Sequence, residues 1–141
     1  MRTRLHHVAL AVQDEERYER AVEFYQQVLG FPLVRRWTRP PKRITMLDFG
    51  NSILEIILWA EGSGTGAFPH IALAVDRPED VDAMLLRCAE AGCTVIRPAE
   101  DVECVEEVQE GGEIRFGVPV RLRNGFCLGP VGEQIEFFWE E

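Results

Sequence analysis

Two histidines and two glutamates recur in matched surroundings. His7 opens the segment His7-Val8-Ala9-Leu10-Ala11-Val12, and His70 opens His70-Ile71-Ala72-Leu73-Ala74-Val75. Each half later ends in an apolar run that holds one carboxylate. Glu55 lies among Ile53, Leu54, Ile56 and Ile57; Glu136 lies among Ile135, Phe137 and Phe138. A carboxylate inside an apolar strand is costly to bury unless it is paired or bound to a cation. Imidazole and carboxylate together suit a first-row divalent ion such as zinc, nickel, cobalt, iron or manganese. Four protein ligands leave one or two positions on a five- or six-coordinate ion for water and a substrate oxygen.

The elements that must position these groups repeat as well. Residues 5–12 alternate, with Val8, Leu10 and Val12 on one face and His7, Ala9 and Ala11 on the other, which is a strand period. Residues 14–29 switch to helical spacing through Tyr18, Ala21, Val22, Tyr25, Val28 and Leu29. Asp14 is the expected N-cap and Gly30 the expected stop. Strands are predicted near 31–38, 43–49 and 52–59, the last two joined at Gly50-Asn51. The second half repeats the order: a strand at 69–75, a helix at 78–91 and a strand near 93–97. An acidic loop insertion at 99–112 is expected next, then strands near 114–128 and 134–139. The fold class is therefore α+β, two tandem βαβββ modules at 1–60 and 68–141 with a linker at 61–67. The two end strands align on equal spacing, Leu47 to Glu55 and Leu128 to Glu136.

The faces sharpen the metal reading. The large aliphatics must pack on the helix that follows, so the His-Ala-Ala face points away from it. Alanines there leave room beside the histidines, where a packed core would place bulky side chains. His6 falls on the aliphatic face, meets Pro69 at the matching place in the second copy, and reads as a surface residue.

Composition bounds the partners. The chain has 141 residues, 46% of them hydrophobic, and a net charge of −9. That balance argues against nucleic acid, which needs a positive face. No apolar run reaches the ~20 residues of a membrane span, and no signal-peptide pattern opens the chain, so a cytoplasmic protein is expected. Cys88, Cys93, Cys104 and Cys127 match no zinc spacing and read as free thiols in a reducing compartment. Arg35, Arg36, Arg39, Lys42 and Arg43 crowd around Trp37. Such a cluster can hold a substrate carboxylate or phosphate, or it can be a solvated charged loop.

The chain resembles the vicinal oxygen chelate superfamily, which includes glyoxalase I, methylmalonyl-CoA epimerase, extradiol dioxygenases and bleomycin-resistance proteins. The resemblance rests on the two His segments, Phe24-Tyr25 with Leu29-Gly30-Phe31, Leu54-Glu55, and Gly129-Pro130-Val131-Gly132-Glu133 with Ile135-Glu136-Phe137. It implies a cupped, barrel-like mixed sheet with helices outside, and a homodimer as the common assembly. It implies one divalent metal ion per site, on His7, Glu55, His70 and Glu136, within one chain or across a dimer. A His/Glu/His/Glu set is most similar to glyoxalase I-like members, where a ligand glutamate, here Glu136 or Glu55, moves a proton beside a carbonyl. Ala11 and Trp59 stand where glyoxalase I typically has an Arg and an Asn for glutathione. The resemblance implies a small-molecule substrate, a thiol adduct or a CoA ester; the candidate contacts are Arg35, Arg36 and Arg39 of the basic cluster and the aromatic rings of Trp59 and Phe138. An acyl-CoA epimerase and a metal-free binding protein of the bleomycin-resistance type are the alternatives it leaves open.

Overall fold

The computed structural model describes residues 6–62 and 70–141, without the side chains of residues 39, 104–110, 114–118 and 120. From residue 63 on, the expected linker lies outside the described residues. The element order is β1 (His7–Val12), α1 (Glu15–Glu23), a π-helical turn (Phe24–Val28), β2 (Leu33–Arg39), β3 (Lys42–Asp48), β4 (Ile53–Leu58), β5 (Ile71–Ala74), α2 (Pro78–Glu90), β6 (Thr94–Glu110), β7 (Glu113–Leu128) and β8 (Gln134–Glu140). The α+β class and the repeated βαβββ order are those the sequence implies. The strands form two four-stranded mixed sheets, ordered β1-β4-β3-β2 and β5-β8-β7-β6. In each, the first pair is parallel and the rest antiparallel.

The chain divides into two compact units. The first is Met1–Pro69 with Gly129–Glu133; the second is His70–Leu128 with Gln134–Glu141. In the first, α1 covers β1 and β4. Tyr18, Ala21 and Val22 supply its buried face, and Leu10, Val12, Leu54 and Ile56 are buried on the strands. The Tyr18 hydroxyl meets Thr45 Oγ1 at 2.5 Å on β3. In the second unit α2 lies on β6, β7 and β8 through Val81, Leu85 and Cys88. Asp14 caps α1 by accepting from the Arg17 backbone N–H at 2.9 Å, as the sequence predicts. Gly30 follows the π-helical turn at φ 78, a left-handed geometry that suits glycine.

The expected loop insertion at 99–112 is instead strand. β6 runs on to Glu110 and β7 begins at Glu113, with Gly111 and Gly112 as the turn at φ 58 and 83. Two successive positive φ values are what a tight hairpin turn requires. Two of the acidic residues face basic ones across the strand pair: Asp101 pairs with Arg123 and Glu103 with Arg121 in register. Arg123 donates to Asp101 at 3.0 Å and to Asp82 at 2.8 Å.

Both sheets carry the same irregularity at the same place. Leu33 faces Leu47 and Arg35 faces Met46, so Val34 is one residue extra. Val95 faces Cys127 and Arg97 faces Phe126, so Ile96 is one residue extra. Such a bulge shifts the alternation by one. It puts Arg35 in a cross-strand row with Met46, Glu55 and Ala9, and Arg97 in a row with Phe126, Glu136 and Ala72. The two rows define equivalent positions in the two units.

Candidate metal centre

In the first unit β1 and β4 bring His7 beside Glu55. Nε2 of His7 lies 3.6 Å from Oε2 of Glu55, with the histidine side chain 44% exposed and the glutamate 10%. In the second unit His70, the residue before β5, lies beside Glu136 of β8, Nε2 to Oε2 at 3.0 Å, with exposures of 36% and 9%. Each imidazole therefore reaches solvent while each carboxylate sits low on its strand. Ala9, Ala72 and Ala74 are exposed on the same faces, and Leu10 and Val12 are buried on the other. The His-Ala face is open at Ala9 in the first unit and at Ala72 and Ala74 in the second.

These separations test whether the donors fit a metal ion. With metal–nitrogen and metal–oxygen bonds of about 2.0–2.2 Å, neighbouring ligands stand about 2.9 Å apart at a right angle and about 3.4 Å apart at the tetrahedral angle. The observed 3.0 and 3.6 Å are close to such edges. Both pairs meet through Nε2 of the ring and one carboxylate oxygen, so the donor chemistry suits a divalent ion. Each unit offers two donors. Among the described residues no group of three or more His, Cys, Asp and Glu gathers.

His6 has a contact the sequence did not disclose. It is exposed, as expected, but its Nδ1 lies 3.0 Å from Nδ1 of His7. With the His7 proton on Nδ1 and donated to His6, Nε2 keeps its lone pair toward Glu55. A partner on the far ring nitrogen is how ligating histidines are commonly oriented.

The second pair has a more extended support. Asn124 Nδ2 donates to Oε1 of Glu136 at 2.8 Å. Arg97 donates to Oδ1 of Asn124 and to Glu100. The Arg97 guanidinium lies 5.0 Å over the Phe126 ring, and His70 stands edge-on to the same ring at 5.6 Å. Sequence reasoning missed Asn124 and Arg97. The signal that finds them is the row register, in which Asn124 is opposite Phe138 and two residues before Phe126.

The remaining candidates separate by face. Trp59 continues the alternation of Glu55 and Ile57, is half-buried, and has Lys42 Nζ 4.1 Å from its ring. Phe138 pairs with Ala74 and shares the face of Glu136. Arg35 is exposed in the row of Glu55. Arg36 pairs with Thr45, on the opposite face, and donates to Gln26 at 3.4 Å. The Arg39 side chain lies outside the described residues. Ala11 is covered: a Cβ on Gly62 would stand 2.9 Å from Ala11 Cβ and 3.0 Å from the Trp59 ring. Gln13 Nε2 holds that turn by donating to the Gly62 carbonyl at 2.8 Å. A long cationic side chain at position 11 would displace the turn.

Two further groups are structural. Cys88, hydrogen-bonded to the Cys127 thiol and buried, has its thiol pushed far above the ordinary cysteine range, so it is no nucleophile. Cys88, Cys93 and Cys127 form no disulfide, as the sequence reading expects; Cys104 has no described side chain. Glu133 is buried, and burial raises its carboxyl above the ordinary glutamate value. The Tyr25 hydroxyl donates to its Oε1 at 3.0 Å and the Val131 N–H to its Oε2 at 2.9 Å.

Known proteins share this fold. No curated protein sequence matches the chain. Among solved structures it is similar to a glyoxalase family protein from Enterococcus faecalis, at 22% identity over 96% of both chains with a TM-score of 0.60. It is similar to lactoylglutathione lyase from Agrobacterium tumefaciens, at 15% identity over 99% of this chain and 95% of that one, TM-score 0.63. The trypanothione-dependent glyoxalase I of Leishmania major aligns at 19% identity over 96% and 86%, TM-score 0.61. Among the described residues no helix is long and apolar enough to cross a membrane. The model of the Glyoxalase/Bleomycin resistance protein/Dioxygenase superfamily matches residues 4–108, and the chain belongs to that superfamily.

Proposed function

We propose that this protein is a divalent-metal-dependent lyase or isomerase of the glyoxalase kind, acting on a small substrate with vicinal oxygens by moving a proton beside its carbonyl. The observation that carries the reading is the twin pair, His7 with Glu55 and His70 with Glu136, each at the separation of two ligands on one ion. The four side chains together would hold the ion, drawn from one chain or from both chains of a homodimer. When bound, the ion polarises substrate oxygens and stabilises the negative charge that develops on them. A carboxylate of the set takes the proton from carbon and returns it to the neighbouring carbon. The exposed alanines leave space for substrate beside the ligands, and Phe138 and Trp59 offer apolar walls on those faces. Arg35 presents a guanidinium on the Glu55 face, suited to a substrate carboxylate or phosphate.

The covered position at Ala11 speaks for a thiol carrier other than glutathione, or for an acyl-CoA ester. The test is metal analysis of protein purified without added metal, followed by assay of thiohemiacetals and acyl-CoA esters in deuterated water. The expected result is about one divalent ion per His/Glu/His/Glu set and turnover of a thiohemiacetal. Deuterium exchange into an acyl-CoA without lyase action would assign the epimerase chemistry. No bound metal, no affinity for added metal and tight binding of a planar aromatic compound would replace the enzyme reading with a binding protein.

A further inference from the structure

The first unit holds two cations and one donor that its own acids leave unmatched. The chain has 24 acidic residues to 15 basic ones, and most described arginines meet a carboxylate. Among the described residues Arg35 and Lys42 meet none. Arg35 is exposed, and Lys42 places its Nζ 4.1 Å from the centre of the Trp59 ring. Between them stands Trp37, half-buried as a residue. Its indole nitrogen is buried, and among the described residues it is the one buried side-chain nitrogen or oxygen without a hydrogen-bond partner. An indole N–H can only donate, and a buried donor left unpaired is costly.

β2 and β3 put these three groups on one face. Arg35 pairs with Met46, Trp37 with Ile44 and Arg39 with Lys42, so Arg35, Trp37 and Lys42 share the face of Glu55. Arg36 and Arg43 fall on the other face, and the bulge at Val34 makes that choice. The row through Trp37 continues as Ile44, Ile57 and Ala11, whose side chains offer no acceptor. The second unit shows the same place filled. Arg97 stands where Arg35 stands, and Asn124 where Ile44 stands. Opposite Asn124 is Glu100, which accepts from Arg97. Opposite Ile44 is Trp37. Where the second unit carries its arginine's counter-charge, the first carries a further donor.

We propose that Arg35, Trp37 and Lys42 form an anion-binding stripe, and that the substrate is an anion whose carboxylate or phosphate lies on it. The stripe belongs to the first unit alone; that its ligand is the substrate rests on the glyoxalase-like reading above. The Arg35 guanidinium offers two parallel N–H bonds to such a group. The Trp37 N–H adds a third, and Lys42 adds charge. β3 separates Arg35 from Glu55, so their backbones stand about 10 Å apart. The anionic group thus lies a short chain length from the Glu55 carboxylate. A neutral analogue leaves both cations uncompensated and is disfavoured.

The test is two-dimensional ¹H–¹⁵N NMR of the three tryptophan indole groups, with the Trp37 signal assigned from Trp37→Phe. Benzoate, phenyl phosphate and neutral benzyl alcohol are titrated into the purified protein. Benzoate or phenyl phosphate is expected to move the Trp37 signal downfield to saturation, the tighter of the two naming the group. Benzyl alcohol should leave it in place. Arg35→Met should weaken anion binding about 10- to 100-fold, and Lys42→Met should weaken it less. Arg36→Met removes a neighbouring charge from the other face and should leave the affinity unchanged. The remaining amide signals report that each variant is folded. A Trp37 signal unmoved by both anions, an equal response to benzyl alcohol, or equal losses in Arg35→Met and Arg36→Met overturns the proposal. The measurement needs neither metal nor turnover. Its failure therefore leaves the metal-dependent reading standing, and failure to find metal in the protein leaves the stripe standing.

Discussion

The first unit, built on α1, and the second, built on α2, share a register and differ in what fills it. The row Ala9, Glu55, Met46, Arg35 matches the row Ala72, Glu136, Phe126, Arg97. Even the bulge before the arginine is repeated. Next to these rows the units part. Ile44 stands against Asn124 on the ligand face, and Thr45 against Gly125 on the helix face. In the first unit the helix is joined to the sheet by a hydroxyl pair, Tyr18 with Thr45. In the second, the missing side chain at Gly125 lets Leu85 approach. Backbone geometry and the His–Glu pairs are common to the units, while packing and hydrogen bonding around them are particular to each.

The helix-face difference gives the largest expected effect on stability. A Cβ at position 125 would stand 2.4 Å from Leu85 Cδ1 and 3.0 Å from the Ala99 backbone nitrogen. Gly125→Thr, which imposes the first unit's residue on the second, should cost about 1–3 kcal/mol as overpacking, read from urea unfolding. Leu85→Ala in the same chain should return part of that loss; no recovery would show that the backbone of Ala99, not Leu85, sets the limit.

The turns closing the two sheets differ next. After β3 the exposed Asp48 accepts from the Gly50 N–H at 2.8 Å, whereas after β7 the buried Glu133 organises the turn. Tyr25→Phe removes one bond to Glu133 and should cost about 1 kcal/mol. The pH dependence has a definite sign. Burial raises the folded carboxyl above its unfolded value, so between those two values the folded chain holds more protons than the unfolded one. This group's contribution to stability is fully present below the unfolded value and is lost as pH rises through the folded one. Glu133→Gln should flatten that loss in unfolding curves taken across the range; an unchanged slope would show that Glu133 does not cause it.

The smallest contrast lies at the helix starts. α1 relies on the Asp14 side chain, and α2 begins at Pro78 after Arg77, whose side chain makes no cap. Asp14→Ala should cost about 1 kcal/mol. Arg77→Ala loses only exposed pairs, with Asp80 at 2.8 Å and Glu79 at 3.5 Å, and should leave the midpoint of thermal melts essentially unchanged.

Much of this was legible in the residues, because period and repetition are written in them. The βαβββ order, the caps, the two histidine strands and the exposed His-Ala faces all follow from alternation, helical spacing and the second copy. What was hidden depends on single-residue offsets. Equal spacing aligns Leu47 with Leu128, yet the register pairs Leu47 with Leu54 and Cys127 with Ile135, so Leu47 corresponds to Cys127. The turn after β7 is one residue longer than the turn after β3. A slip of one residue exchanges the two faces of a strand, and so it concealed Asn124. The bulges concealed in the same way which of Arg35 and Arg36 shares a face with Glu55. The strand after residue 99 was hidden because the basic partners of Asp101 and Glu103 lie across the strand pair and not along the chain.

The repeated bulge also bears on how the molecule keeps to itself. β2 and β6 are outer strands, and an outer strand offers unpaired N–H and C=O groups on which the strand of another molecule can assemble. Val34 and Ile96 are apolar and 49% and 44% exposed, which would favour such growth on a straight edge. The extra residue at each position bends the strand and interrupts the even spacing that a continuing sheet requires. The same offset that puts an arginine in each glutamate's row thereby makes each sheet margin a poorer template for another strand.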